Sequence, residues 1–199
     1  RVMDENTARG ILRAERACCD LHPAKSNRRL VCYPLTIENY MIQFTQASLG
    51  LPIALGFSAL LTGESISGEP AATGSVREDG SVGEVGQLSG KVIHARNMGF
   101  QVFLFPAQNQ KPLDVHHMAL IPISDLRQAW MFARLYTPDR AGDLLLMDGM
   151  LKNPLVFINN CHMVPLEWLE WVRKNGMSCE IGESISESSE LFDIFVERL

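Results

Sequence analysis

The sequence predicts an α/β fold, because short apolar runs typical of strands alternate with longer segments of helical periodicity. Its 199 residues are enough to bury one sizeable core and a small additional one. Hydrophobic residues make up 46% of the chain and charged residues 21%, which is typical of a globular protein that folds in water. We therefore expect an α/β core followed by a small C-terminal α/β appendix.

The N-terminal part predicts two helices separated by two strands. Residues 3–19 have the apolar spacing of an amphipathic helix, which His22-Pro23 would end. Residues 30–35 and 40–44 have strand-like patterns. Residues 51–61 are apolar in every direction around a helical wheel, so we expect a helix buried on all sides.

The middle of the chain supplies the alternation on which the α/β prediction depends. Strand patterns occur at residues 71–76 and 82–85 around a Glu78-Asp79-Gly80 turn, at 101–105, and within 113–123. Ser89 is the predicted cap of one helix, which would run to about Met98 before a glycine stop at Gly99; Ser124-Asp125 would cap another, running to about Tyr136.

Thr137-Pro138 is the predicted boundary between two domains, residues 1–137 and 138–199. The appendix is predicted to contain, in order, a helix at 139–151, a strand at 155–158, a helix at 166–174, a strand at 177–181 and a helix from about Ser189.

Charge and cysteine content narrow the classes of partner and compartment. The net charge of −5 argues against nucleic acid as the main partner, since phosphate contacts need clustered Lys and Arg. The five cysteines are an odd number without zinc-like spacing, which favours reduced thiols in the cytoplasm and no metal site. The chain has no run of about 18 apolar residues and no signal peptide, so we expect no membrane partner. It begins at Arg1 rather than Met, and we expect a fragment or a processed product.

A hydroxyl and an amine stand out as candidate catalytic groups. Ser48 opens a glycine-containing turn into the apolar helix, and Lys91 lies among apolar neighbours just inside a second helix. Separately, each has a plainer interpretation, Ser48 as a helix cap and Lys91 as a surface lysine. Together they are the two groups that a serine–lysine hydrolase requires.

The order and spacing of motifs around these residues resemble the proteolytic domain of Lon peptidases. The resemblance rests on Ser48-Leu49-Gly50, Leu61-Thr62-Gly63, Thr73-Gly74-Ser75-Val76, the Gly-x-Leu-x-x-Lys stretch at residues 86–91, Gly99-Phe100, the proline-ended strand at 102–106, Asn109 and Ile121-Pro122-Ile123. It extends from about Phe44 to Tyr136 and implies a Lon-like fold.

The resemblance also implies a role for each matched residue. Ser48 would be the nucleophile, Lys91 the general base and Thr73 the hydroxyl that orients the lysine amine. Ala47, Ser48 and Gly50 would form the oxyanion site and the substrate groove. Free lysine has a pKa of about 10.4, and burial can lower it by about 3–5 units, which would leave a neutral amine able to take the Ser48 proton. The implied activity is hydrolysis of extended polypeptide through an acyl-enzyme, without a cofactor, by a homo-oligomer.

Several observations keep other functions open. Thr45-Gln46-Ala47 replaces the Asp-Gly-Pro that usually precedes the nucleophile in this family, although birnavirus proteases use a related dyad without the full motif. The chain has no phosphate-binding Gly-x-x-x-x-Gly-Lys-Ser/Thr loop, so an ATPase would have to come from a partner or another segment. The alternatives are a silent Lon-like scaffold, as in RadA-type or BREX phage-defence proteins, and a hydrolase of small esters. His116-His117 is a weak metal hint, because adjacent side chains on a strand point apart.

Overall fold

The computed structural model describes residues 5–25, 30, 47–66, 70–110, 118–174 and 187–188. The chain divides into two compact units, Arg1–Arg134 and Leu135–Leu199. The predicted domain boundary at 137/138 lies close to this division and stays a prediction. None of the helices in the described ranges has the length and apolar character needed to cross a bilayer.

The first unit mixes helices and strands, which confirms the predicted α/β class. Its elements are α1 (Glu5–Leu21), α2 (Gly50–Thr62), β1 (Ala71–Ala72), β2 (Ser75–Val76), β3 (Val82–Gly83), α3 (Leu88–Asn97), β4 (Val102–Pro106), β5 (Ala119–Ile123) and α4 (Leu126–Leu135). The strands predicted at 30–35 and 40–44 lie, apart from Leu30, outside the described residues, as do His116 and His117.

The described strands form a parallel sheet and a separate hairpin. The sheet has the order β1-β4-β5, with Ala71 opposite Phe103 and Phe103 opposite Leu120. All five residues of β4 are buried, as expected for the central strand of a parallel sheet. β2 and β3 pair antiparallel around the predicted turn, where Gly80 has a φ of 80°.

Helix α2 packs closely against α1 and still leaves one face in solvent. The thiol of Cys18 on α1 donates to the Ala54 carbonyl on α2 at 3.1 Å, and Leu51 and Leu55 on α2 are buried. Leu60, however, is 62% exposed. The prediction of a helix buried on every side is therefore wrong for the Leu60 face, because uniform hydrophobicity does not reveal which side lacks a neighbour.

In its described part, the second unit contains the helices α5 (Ala141–Lys152), α6 (Pro154–Asn160) and α7 (Leu166–Lys174). The helices predicted at 139–151 and 166–174 are confirmed, and the strand predicted at 155–158 is wrong. The Asn153 side chain accepts hydrogen bonds from the N–H groups of Leu155 and Val156, and Pro154 occupies the first turn. These helix-start signals override the apolar run. The strand at 177–181 and the last helix from Ser189 lie outside the described residues.

Candidate active site

Ser48 lies in a single 3-10 turn, Ala47–Leu49, that leads directly into α2. The N-cap position of α2 falls on Leu49, one residue further along the chain. The interpretation of Ser48 as the helix cap is therefore wrong. Ser48 is partly buried at the N-terminal end of the helix, where the helix dipole favours negative charge.

The segment between β1 and β2 holds the start of α2 in place through backbone hydrogen bonds. The Leu51 N–H donates to the Gly74 carbonyl at 2.8 Å, and the Gly74 N–H donates to the Ser48 carbonyl at 3.0 Å. Gly50 is buried, and a Cβ at this position would lie 2.8 Å from the Val76 backbone nitrogen. Glycine is thus required at residue 50 so that the two backbones can approach closely.

Thr73 connects the serine turn to the lysine. Its side chain is only 5% exposed, and its N–H donates to the Leu104 carbonyl on β4 at 3.0 Å. Its hydroxyl donates to the Ser48 carbonyl at 3.4 Å and accepts from the Lys91 amine at 3.4 Å. The threonine, bonded to β4 directly after β1, thus contacts both the serine turn and the lysine.

Lys91 lies at the end of the first turn of α3, and its environment changes the acid–base chemistry of its amine. α3 packs on β4 through an apolar cluster that includes Leu88, Val92 and Phe103. Burial lowers the pKa of the Lys91 amine below its usual value of 10.5. A lower pKa raises the fraction of neutral amine at any given pH and so makes the group a better base.

The start of α3 differs from its prediction. The helix begins at Leu88, and its N-cap is Gln87 in the left-handed conformation with a φ of 56°, so the prediction of Ser89 as the cap is wrong. The Gln87 carbonyl accepts from the Lys91 N–H at 3.2 Å. Two residues earlier, the Asn109 side chain accepts from the Val85 N–H at 3.1 Å and donates to the Val85 carbonyl at 2.9 Å.

A largely apolar pocket of about 510 Å³ joins these groups. Its polar lining includes Ser48, Thr73, Gln87, Lys91 and His94; its apolar lining comprises Leu49, Ala71, Ala72, Ala95, Met98, Phe100 and Phe103, and Gly90 completes it. Of the other two predicted site residues, Ala47 begins the serine turn, and Gly50 packs against the Val76 backbone rather than lining the pocket. The structure therefore brings Ser48, Thr73 and Lys91 to one pocket.

Sequence reasoning missed Gln87 as a pocket residue and Asn109 as a brace for the loop before α3. The left-handed conformation of Gln87 has no signal in the residue type, because glycine and asparagine are the residues that favour it. Asn109 fitted a family pattern, but its contact with Val85 spans 24 positions and depends on how β4 is placed.

The fold and the pocket define an α/β domain that places a serine hydroxyl, a threonine hydroxyl and a lysine amine of lowered pKa around one apolar cavity. A hydroxyl and a neighbouring base are the groups required to activate an oxygen for attack on a carbonyl. Within the part of the chain that the structure describes, the amine bonds the Thr73 hydroxyl, and no hydrogen bond joins it directly to the Ser48 hydroxyl.

Comparison with known proteins finds similarity to one family of domains. Residues 45–127 match the family model of the Lon protease (S16) C-terminal proteolytic domain. A Lon protease of Neorickettsia sennetsu is 30% identical over 97 residues, which cover 46% of this chain and 12% of that protein. The resemblance to the Lon proteolytic domain is thus confirmed over residues 45–127, a segment that contains Ser48, Thr73 and Lys91.

Proposed function

We propose that this chain is a serine–lysine endopeptidase domain that hydrolyses extended or unfolded polypeptide through an acyl-enzyme. The observation that carries the proposal is that Ser48, Thr73 and Lys91 line one pocket, with the lysine amine bonded to the threonine hydroxyl. The match of residues 45–127 to a proteolytic domain supports the same reaction class.

In the proposed mechanism, the neutral Lys91 amine accepts the proton of the Ser48 hydroxyl as Oγ attacks the substrate carbonyl. The oxyanion that forms accepts a hydrogen bond from the Ser48 backbone N–H at the mouth of α2. The Leu51 N–H cannot serve this purpose, since it is bonded to the Gly74 carbonyl. The Lys91 ammonium then returns the proton to the leaving amine, and the C–N bond breaks.

Water completes the cycle by attacking the ester carbon of the acyl-enzyme, with the Lys91 amine now accepting a proton from water. The new acid leaves, and the Ser48 hydroxyl is restored by the Lys91 proton. Lys91 carries out both halves of the reaction, so Thr73 must hold its amine in one place throughout. Thr73 is suited to this role because its backbone N–H is hydrogen-bonded to the Leu104 carbonyl and its hydroxyl to the Ser48 carbonyl.

A peptide substrate would lie beside β1. β1 occupies one edge of the described sheet, and both of its residues, Ala71 and Ala72, line the pocket. An extended peptide placed there can pair with the strand by backbone hydrogen bonds. This arrangement favours polypeptide over small esters, which cannot use the strand edge.

Catalysis by Ser48 and Lys91 is tested by two substitutions with matched controls. Ser48→Ala and Lys91→Ala should each lower hydrolysis of an unstructured fluorogenic protein by about 1,000-fold or more while leaving the thermal unfolding midpoint near that of wild type. Ser89→Ala and Lys152→Ala change exposed residues outside the pocket and should leave the rate unchanged. A serine-directed fluorophosphonate should label Ser48 in wild type, as located by peptide mass spectrometry.

A silent scaffold is the competing function, and one observation favours it. The lysine amine bonds Thr73 and, among described residues, has no direct bond to the Ser48 hydroxyl. Catalytic hydrogen bonds are often long before substrate binds, so this geometry does not rule out catalysis. Full activity in Ser48→Ala, or no hydrolysis and no labelling in wild type at any oligomeric state, would refute the peptidase and leave the scaffold.

A further inference from the structure

Gln87 has an unusual backbone conformation. It is the one non-glycine residue with positive φ among the residues that the structure describes; the others with positive φ are Gly63, Gly80 and Gly99. A side chain at a φ of 56° is disfavoured because its Cβ crowds the neighbouring carbonyl, whereas glycine adopts this conformation freely.

The fold does not need a glutamine side chain at this position. The Gln87 carbonyl accepts the Lys91 N–H at 3.2 Å, a contact that glycine would make equally well. The side chain is exposed, and it has no hydrogen bond to any part of the chain that the structure describes. Strained residues of this kind are found disproportionately at binding and catalytic sites, where the side chain contacts a ligand or substrate.

The location of Gln87 indicates which ligand its side chain would contact. It lines the same pocket as Ser48 and Lys91, directly before the helix that carries the lysine. An amide side chain offers both donors and an acceptor, which complement the C=O and N–H of a peptide unit. The same chemistry occurs in this protein, where the Asn109 amide holds both backbone groups of Val85 at 3.1 and 2.9 Å.

We propose that Gln87 is a substrate-binding residue whose side-chain amide hydrogen-bonds the backbone of a peptide held in the Ser48–Lys91 pocket. This inference rests on the proposed function, since it assigns a contact to the substrate of that site. Because the contact is with the peptide backbone, it favours polypeptide of any sequence in an extended conformation. It accounts for a strained side chain at a position where glycine would be more stable.

The test exploits the opposite directions that stability and binding should take. Gln87→Gly relieves the strain and removes the amide, so its thermal unfolding midpoint should equal or exceed that of wild type, while kcat/KM for an unstructured protein falls about five- to tenfold, mainly through KM. Gln87→Asn keeps an amide and tolerates the left-handed conformation, so it should retain more activity than Gln87→Gly. Gln108→Gly changes an exposed glutamine outside the pocket and should leave KM unchanged.

A binding measurement separates this proposal from the peptidase itself. A fluorescein-labelled unstructured peptide is titrated with the full chain carrying Ser48→Ala, with and without Gln87→Gly, and followed by anisotropy. Weaker binding in the double variant, by about five- to tenfold, supports the contact whether or not wild type cleaves the peptide. Equal affinity with and without Gln87→Gly, or no detectable binding to either, overturns it. The loss of hydrolysis in Ser48→Ala alone continues to report on the peptidase.

Discussion

At the scale of single residues, Lys91 shows how position on a helix sets acid–base behaviour. Lys91 lines the pocket from a helix that packs on β4 through an apolar cluster, and burial alone lowers the pKa of its amine. Its hydrogen-bond partner is the neutral Thr73 hydroxyl, which offers the amine no opposing charge that would raise its pKa again. The residue types around the amine therefore favour the neutral form that the proposed reaction requires.

This environment predicts the direction of the pH dependence of hydrolysis. The neutral amine is the active form, so kcat/KM should rise with pH and level off above the pKa of Lys91. Because burial places that pKa below 10.5, the midpoint of the rise should also lie below 10.5. The measurement is a pH–rate profile on an unstructured substrate over a range in which the fold is intact. A rate that falls over the whole alkaline range would contradict a lysine base.

The residues of the site differ in how far the sequence revealed them. Ser48, Thr73 and Lys91 each belong to a spaced motif, and the structure places all three at one pocket. Gln87 could not be found in this way, because its significance is a backbone angle that glutamine does not encode. Gly50 was expected in the groove; its close packing against Val76 depends on two distant segments meeting.

At the scale of elements, the loop before α3 determines where the lysine helix begins. The Asn109 side chain follows β4 and holds both backbone groups of Val85, two residues before the left-handed Gln87. β4 is the buried central strand, and Asn109 follows it closely. The hydrogen bonds of Asn109 to Val85 therefore tie the loop before α3 to the end of this strand. A displaced loop would move the Lys91 amine relative to Thr73.

Asn109→Ala should therefore lower both stability and activity. Loss of the paired contact leaves the Val85 backbone groups without these partners, and we expect about 1–3 kcal/mol less free energy of unfolding, measured by urea titration. The rate of hydrolysis should fall as well, mainly in kcat, because the base is misplaced. Asn153→Ala removes a similar side-chain-to-backbone contact from α6 in the second unit and serves as the control. If Asn109→Ala lowers stability but leaves kcat unchanged, the loop does not position Lys91.

Secondary-structure elements were predictable where an apolar repeat extended over many residues or where turn residues marked the ends of strands. Helices α1, α3 and α4 and the β2–β3 hairpin occur where the sequence placed them, within a few residues. The wrong strand prediction at residues 155–158 has a local cause. An apolar run of four residues fits a strand or a helix equally well, and the cap at Asn153 and the proline at 154 favour the helix. Strands as short as β1 carry too little pattern to be bounded from sequence.

At the scale of the whole molecule, the first unit carries a buried titratable group unrelated to the pocket. His22, directly after α1, is only 6% exposed and meets the Trp130 ring of α4 edge-on, with 6.1 Å between ring centroids. Burial, with a smaller contribution from the Lys25 charge, lowers the pKa of His22 to about 4, although Glu64 acts in the opposite direction. The histidine is therefore neutral in the folded protein near pH 6, where an unfolded chain would begin to bind a proton.

The stability of this unit should consequently fall on mild acidification. The unfolded state takes up the His22 proton below its usual pKa of 6.5, whereas the folded state does so only near pH 4. Between these values each step toward acid favours the unfolded chain, to a total of about 3 kcal/mol. His22→Phe keeps a ring against Trp130 and cannot titrate, so its free energy of unfolding should drop by about 2 kcal/mol less than that of wild type between pH 7 and pH 4.5 in urea titrations. An equal loss of unfolding free energy in wild type and His22→Phe would show that protonation of His22 does not destabilise the fold. The loss of stability in acid would then be caused by protonation of carboxylates.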